Sequence, residues 1–522
     1  MSSPRASGPG DGAARPTADR PTADHPTAVR PPAVRPALAG LSLSMLLSAL
    51  GTGLAPAVLP TLADTFSASF RSVQWIVLAH LLAVTALVVG AGRLGDLFGR
   101  RRLLLAGLSL FTVASVVCAA APTVWLLIAA RAVQGVGAAF MLALTMAFVG
   151  ETVPREGAGR AMGLLGTMSA VGTALGPSLG GALTAVFGWR AVFLAPVPLG
   201  VAAILLVRRH LPADRPPAGT GRARFDTTGT LLLALALTAY ALAMTLGGGD
   251  GSGRLRAALL LTAALGAVLF VRTQARAASP LVPRTVLRTP GLRAGLATSA
   301  LVSTVMMTTL VVGPFQLSRA LGLGPALTGL LLAVGPLVAA VTGVPAGQLA
   351  DRFGAHRTTV LGLAAMAAGA LALSVVPAGL GAVGYVAPLA VLTAGYAVFQ
   401  TANNTAVMAD VPPDRRGVVS GTLGLARNLG LVTGASVMGA VFALAAATGD
   451  VATASPAAVA AGTRITFAVA AALALLALAL AVAAAGRARS AASGGTGLSS
   501  PRAPAGDGTA ARPGTDARRT GS

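Results

Sequence analysis

Lysine is missing altogether from the 522 residues, and cysteine occurs once, at position 118. A lone cysteine inside an apolar run excludes an intramolecular disulfide and says nothing about redox compartment. The missing lysine, beside an excess of alanine and glycine, points to G+C-rich coding sequence and carries no mechanism. Charged residues make up only 11% of the chain and aromatics 4%. The first excludes an ordinary soluble domain, and the second a core built from bulky rings. There is no His-Glu-x-x-His, no pair of carboxylates within an apolar run and no phosphate-binding loop, and His80 and Cys118 stand isolated. Enzymatic chemistry and direct drive by ATP are therefore disfavoured for this chain. The first 36 residues are polar and proline-rich, so no cleavable signal peptide is read there. Neither tail carries the folded output domain that a receptor would need.

Hydropathy takes the place of charge. The mean is +0.76, and apolar runs recur at 37–59, 73–92, 103–121, 124–149, 161–187, 191–207, 228–247, 257–271, 294–315, 326–346, 358–378, 386–408, 418–447 and 465–485. About 20 apolar residues cross a bilayer as a helix, so the chain reads as an all-α polytopic membrane protein with fourteen spans. The run at 257–271 is the shortest. A net charge of +23 would suggest nucleic acid in a soluble protein, but here placement decides. With the N-terminus inside, only Arg71, Arg190, Arg254, Arg256, Arg319 and Arg464 lie outside, and Arg131 and Arg427 lie within spans. The remaining arginines satisfy the positive-inside rule, which puts both termini in the cytoplasm and excludes a nucleic-acid role. Trp75, Trp125 and Trp189 all fall at outer ends of spans, where indoles favour the interface.

Two hinges organise the chain. Gly92-Arg93-Leu94-Gly95-Asp96-Leu97-Phe98-Gly99-Arg100-Arg101-Arg102 follows the pattern G-x-L-x-D-x-F-G ending in arginine, and Gly347-Gln348-Leu349-Ala350-Asp351-Arg352-Phe353-Gly354-Ala355-His356-Arg357 repeats it. The glycines permit a tight turn, and Asp96 and Asp351 are suited to cap or face a helix N-terminus. Val153–Ala182 aligns with Val411–Ala440 at nearly the same offset, pairing Gly159, Gly163, Gly166, Gly172, Gly176 and Gly181 with Gly417, Gly421, Gly424, Gly430, Gly434 and Gly439. Duplication of a six-span unit accounts for both. The expected organisation is a disordered tail over 1–36, six-helix bundles over 37–209 and 291–485, a linker with two extra central helices over 210–290, and a second disordered tail over 486–522. The first tail carries Arg-Pro-Thr-Ala-Asp at 15–19 and again at 20–24, a composition that builds no core.

The hinge resembles the signature loop of the major facilitator superfamily. Arg131, Gln134, Gly135 and Gly137 in the fourth run resemble its buried-arginine motif, and Gly172, Gly176, Pro177, Gly180 and Gly181 in the fifth its antiporter motif. Trp189-Arg190, with Pro198 and Gly200 after it, adds similarity to the fourteen-span drug:proton antiporters. The resemblance covers residues 37–485. It implies the major facilitator fold and alternating-access efflux of small lipophilic drug-like or antibiotic molecules. The pump would use no cofactor beyond the proton gradient and would sit in the plasma membrane as a monomer. An uncoupled facilitator or metabolite exporter of the same fold is the alternative.

Arg131 within a span costs about 2.5–3.5 kcal/mol on the insertion scale, so it should face a polar cavity or a partner. It either couples protonation to movement, as the resemblance implies, or ties helices together through carbonyls. Gly172, Gly176 and Gly180 share one helix face, and Pro177 removes a backbone hydrogen bond. That face is either a pivot or a plain packing surface, and Ala435 at the aligned position leaves the kink to one half only. Gln400, Asn403, Asn404, Arg427 and Asn428 supply further polar groups at depth. No carboxylate lies mid-membrane, and where the family carries an Asp in its first span this chain has Gly51. His80 is the histidine at membrane depth, and it is either a satisfied structural residue or the proton carrier in place of the missing acid. A cavity with arginine and no carboxylate should favour neutral or weakly acidic compounds over permanent cations.

Overall fold

The computed structural model describes residues 34–152, 158–214, 226–246, 252–276, 290–409, 411, 416–446 and 454–494. Among them there is no strand, and fourteen helices are long and apolar enough to span a bilayer. In order, spans 1 to 14 are Arg35–Ala57, Phe70–Val88, Arg100–Ala120, Val124–Phe148, Leu164–Phe187, Trp189–His210, Thr227–Thr245, Gly253–Arg276, Gly291–Ala320, Pro325–Phe353, Ala355–Val375, Gly381–Ala409, Val419–Ala445 and Pro456–Ala484.

The packing pairs repeat from one half to the other. Span 1 lies on 5 and 6, span 2 on 4, and span 3 on 4 and 6. Likewise span 9 lies on 13 and 14, span 10 on 12, and span 11 on 12 and 14. Small residues set the register. A Cβ on Gly172 would lie 2.6 Å from the Leu46 carbonyl and 2.8 Å from Ala49 Cβ, while one on Gly430 would meet the Ala300 carbonyl and lie 2.8 Å from Ser303 Cβ. One turn on, Gly176 abuts Gly53 and Gly434 abuts Met307. Leu46 and Ala300, Ala49 and Ser303, and Gly53 and Met307 are each 254 residues apart, so both halves interlock by the same contacts.

Several boundaries differ from expectation. The first hinge is not an eleven-residue loop. The helix begun at Phe70 runs to Phe98, and the next begins at Arg100. The whole reversal falls on Gly99, at φ 95°, and on Gly354, at φ 83°, in the second copy. Both lie in the positive-φ region that glycine adopts without steric cost. The helix carrying span 8 runs from Ser252 to Arg276, and that carrying span 14 from Pro456 to Gly494, into the expected tail. Residues 1–33 and 495–522, the remaining parts of the two expected tails, lie outside the described residues.

The extra pair forms its own hairpin on the seam between halves. Asp226 caps span 7 by accepting from the Gly229 amide at 2.7 Å and also accepts from Gln274 Nε2 of span 8 at 2.5 Å. At the other end Arg256 Nη2 donates to the Leu246 carbonyl at 2.7 Å. Span 7 packs on span 2 and span 13, and Trp75 Nε1 donates to Thr245 Oγ1 at 3.1 Å. Span 8 packs on span 7 and buries only 6% of its membrane segment.

The two halves meet at the end away from the hinges. Phe70 of span 2 stacks edge-on with Phe315 of span 9 and Phe442 of span 13, with centroids at 4.9 and 5.4 Å. One buried apolar cluster there draws on both halves, whereas near the hinges each half has its own. Arg319 pairs with Asp64 across the same end.

Candidate functional site

Four groups of residues follow from this frame, the first at the hinge. Asp96 lies in the last turn of its helix, two residues before the end at Phe98, and does not cap the next. Its Oδ1 accepts from Arg100 Nε at 3.0 Å and Nη2 at 2.7 Å, a half-exposed i,i+4 pair. The cap comes instead from Asp214, whose carboxylate accepts the Arg101 and Arg102 amides at 2.7 and 3.1 Å. A helix N-terminus offers free N–H groups and a positive dipole end, and Asp214 satisfies both. Arg101 also donates to the Arg208 carbonyl, which locks the hinge to the end of span 6. Any side chain at Gly99 would strike Asp214. Arg93 is exposed and Gly92 has no neighbour within 4 Å of an added Cβ. At the second hinge Asp351 is exposed, Gly347 again faces open space, and Ala355 stands where Arg100 would be. The sole sequence signal for Asp214 was an acid in an otherwise basic loop.

The second group is a sealed polar core in the first half. Arg131 is 1% exposed. Its Nε donates to the Ile76 carbonyl at 3.0 Å and its Nη1 to Gln134 Oε1. Gln134 Nε2 then donates to Ser115 Oγ at 2.7 Å, and Ser115 Oγ to the Phe111 carbonyl at 2.8 Å. The chain ties spans 2, 3 and 4 together and leaves Arg131 Nη2 without a partner among the described residues. His80 is equally buried, and neither ring nitrogen has a hydrogen bond among the described residues. A Cβ on Gly51 would lie 3.5 Å from His80 Cε1 and 2.9 Å from Phe111 Cε2. Gly135 permits the crossing of spans 2 and 4, since a Cβ there would lie 2.5 Å from the His80 carbonyl. In the second half, Leu389 and Leu392 occupy the positions aligned with Arg131 and Gln134, so the polar core exists once.

The antiporter-type face forms the third group. Gly176 packs on Gly53 and Gly180 on Leu54 of span 1, while Gly181 meets Gly329 of span 10, with a virtual Cβ 2.8 Å from its Cα, and Pro177 faces the same glycine. The kink was expected at Pro177 in the first half only, but span 5 stays α-helical through Pro177, and it is span 13 that departs from α-helix at the aligned place, through a π-helical turn over Gly434–Met438. Gln74 of span 2 donates to the Ala435 carbonyl inside that turn and fills the space above Gly439. An inserted side chain is a recognised cause of such a bulge.

The fourth group lies in the second half. Gln400, with its amide oxygen turned to span 13, accepts from Arg427 Nε at 3.2 Å and from Nη2. Both are half-buried, as is Asn428. Asn404, one turn along from Gln400, has a buried Oδ1 without a partner among the described residues. Asn403 points elsewhere, donating to the Gly295 carbonyl at 3.3 Å. Arg131 and Arg427 therefore occupy separate places: the first is sealed within one bundle, and the second is half open. The tryptophans diverge too. Trp125 is 68% exposed, as an interface residue should be, while Trp189 is 5% exposed and stacks on Phe66 and Phe193.

The Major Facilitator Superfamily model matches residues 41–435. Uncharacterized transporter YebQ of Escherichia coli is 32% identical over 77% of this chain and 88% of its own length. Multidrug efflux pump LfrA of Mycolicibacterium smegmatis is 31% identical over 78% of this chain and 80% of its own length. An inward-facing, occupied structure of a bacterial homologue of the human lysosomal transporter Spinster has a TM-score of 0.64 at 16% identity, covering 86% of this chain and 96% of that one. The last is a likeness of fold.

Proposed function

The chain belongs to the major facilitator superfamily of membrane transporters, and from that premise we propose that it exports small lipophilic molecules across the plasma membrane by proton antiport, with both termini and both hinges in the cytoplasm. The observation that carries the reading is the pair of equivalent bundles in contact at the end away from the hinges. Glycines on span 13 at the hinge end, Gly421 and Gly424, have nothing within 4 Å of an added Cβ. In this reading the cleft opens toward the hinges, which makes the arrangement the inward-open member of an alternating-access pair whose bundles rock about a midplane cleft. The name of the LfrA relative supports efflux as the direction.

In this reading His80 carries the proton. It lies in the first half beside Gly51, where the family's acid is absent, and beside the Arg131 network. A proton on His80 puts a second positive charge into a core that already holds one, a conflict that a shift of spans 1, 2 and 4 relieves. One charge moving down 100 mV supplies about 2.3 kcal/mol, or about fortyfold in concentration. The absence of mid-span carboxylates favours a second reading, an uncoupled facilitator of the same fold. Everted vesicles given matched neutral, anionic and cationic compounds, with and without an imposed pH gradient, decide between them. Uptake that ignores the gradient establishes the facilitator.

A further inference from the structure

Arg427 is half-buried inside a span, and among the described residues no carboxylate pairs with it. Of the carboxylates whose side chains the structure describes, Asp64 pairs with Arg319, Asp96 with Arg100, Asp214 caps span 3 and Asp226 caps span 7. Asp351 sits at the second hinge. The partner of Arg427 is a neutral carboxamide, Gln400, which takes two of the five guanidinium N–H groups. Arg131 is different, being enclosed by spans 2, 3 and 4 and beyond the reach of any ligand.

Three features make Arg427 a receptor rather than a brace. Gly424, one turn before it on span 13, has nothing within 4 Å of an added Cβ, so the stretch of helix next to Arg427 is open there. Gln400 holds it from the neighbouring span, which fixes the planar fork for a bidentate partner. Asn404 lies one turn from Gln400 with an unpartnered buried Oδ1, a group suited to accept from a ligand hydroxyl or N–H. The position aligned with Arg427 in the first half is Ser169, so the charge belongs to one side of the cleft alone.

We propose that Arg427, oriented by Gln400 and flanked by Asn404, is the anion-binding group of the transport cleft, and that the substrates are lipophilic monoanions bearing a carboxylate or an acidic phenol. The proposal rests on the transport reading for the cleft's purpose, but its chemistry is testable without transport. A charge-assisted bidentate contact in a partly desolvated site is worth about tenfold or more in affinity over a neutral isostere.

The test is equilibrium binding to the full-length protein in a neutral detergent, with three probes of one shape: 2-naphthoate, 2-naphthamide and 2-naphthylmethyl-trimethylammonium. The expected order is naphthoate ahead of naphthamide by about tenfold, with the cation weakest. Arg427→Gln should abolish the preference for naphthoate over naphthamide, and an unshifted thermal midpoint shows that the variant is folded. Arg427→Lys should retain part of the preference, and Gln400→Leu should weaken naphthoate alone. Equal affinity for naphthoate in wild type and Arg427→Gln, or a wild-type preference for the cation, overturns the proposal. Naphthoate binding that persists in a protein showing no vesicle transport leaves the anion site standing and sinks the efflux reading instead.

Discussion

The imidazole of His80 fills the space beside Gly51, its Cε1 3.5 Å from the point where a side chain on that glycine would begin. An acid at position 51 and a histidine at position 80 would thus compete for one volume against Phe111. The chain has resolved the competition in favour of the histidine.

His80→Gln should abolish drug-driven proton release in vesicles while the protein still binds its ligands. Undiminished release removes His80 from the mechanism. Gly51→Asp placed in the His80→Gln background should restore part of the release, because it returns a titratable group to the same pocket. Gly51→Ala alone, with its Cβ pressed 2.9 Å from Phe111, should cost about 1–3 kcal/mol of stability by overpacking.

Asp214 predicts a stability effect far from any cleft. Removing an N-cap costs about 1 kcal/mol, so Asp214→Ala should lower the thermal midpoint and raise proteolysis at the first hinge. Asp214→Asn, which keeps one acceptor, should cost less. Gly99→Ala should be worse than either, since it adds a collision with Asp214 to the strain of φ 95°. Equal midpoints for wild type and Asp214→Ala would show that the cap contributes nothing.

The glycine contact between spans 5 and 10 closes one end of the molecule. Gly181→Leu cannot coexist with Gly329 at the observed approach, so the bundles should part there and close at the hinges. A reporter cysteine at Gly424, in a protein whose native Cys118 is buried, should lose reactivity toward a polar maleimide in that variant. Transport should fall about tenfold or more. Unaltered labelling would mean that spans 5 and 10 are not the gate.

Cells carrying only this protein should gain weak resistance to quaternary ammonium dyes, because a buried permanent cation needs a counter-charge that the spans do not supply. Measured ethidium efflux comparable to that of neutral substrates contradicts the reading.

The fourteen spans, the two hinges and the duplicated glycine pattern were legible in the residues themselves. Hydropathy, helical periodicity and glycine spacing are local properties, written within a window of about 20 residues. The same local reading singled out Arg131, His80 and Arg427 as unusual, since charge at membrane depth is costly wherever it occurs. What those residues touch was decided by the fold. Arg101 and Asp214 are 113 residues apart, Gln74 and Ala435 are 361 apart, and no periodicity announces either contact. The separation of a sealed Arg131 from a half-open Arg427, the burial of Trp189 and the π-helical turn in span 13 arise in the same way. A membrane chain declares which segments leave water because that cost is paid residue by residue. Which polar groups then meet depends on how whole helices cross, and only the tertiary structure fixes that.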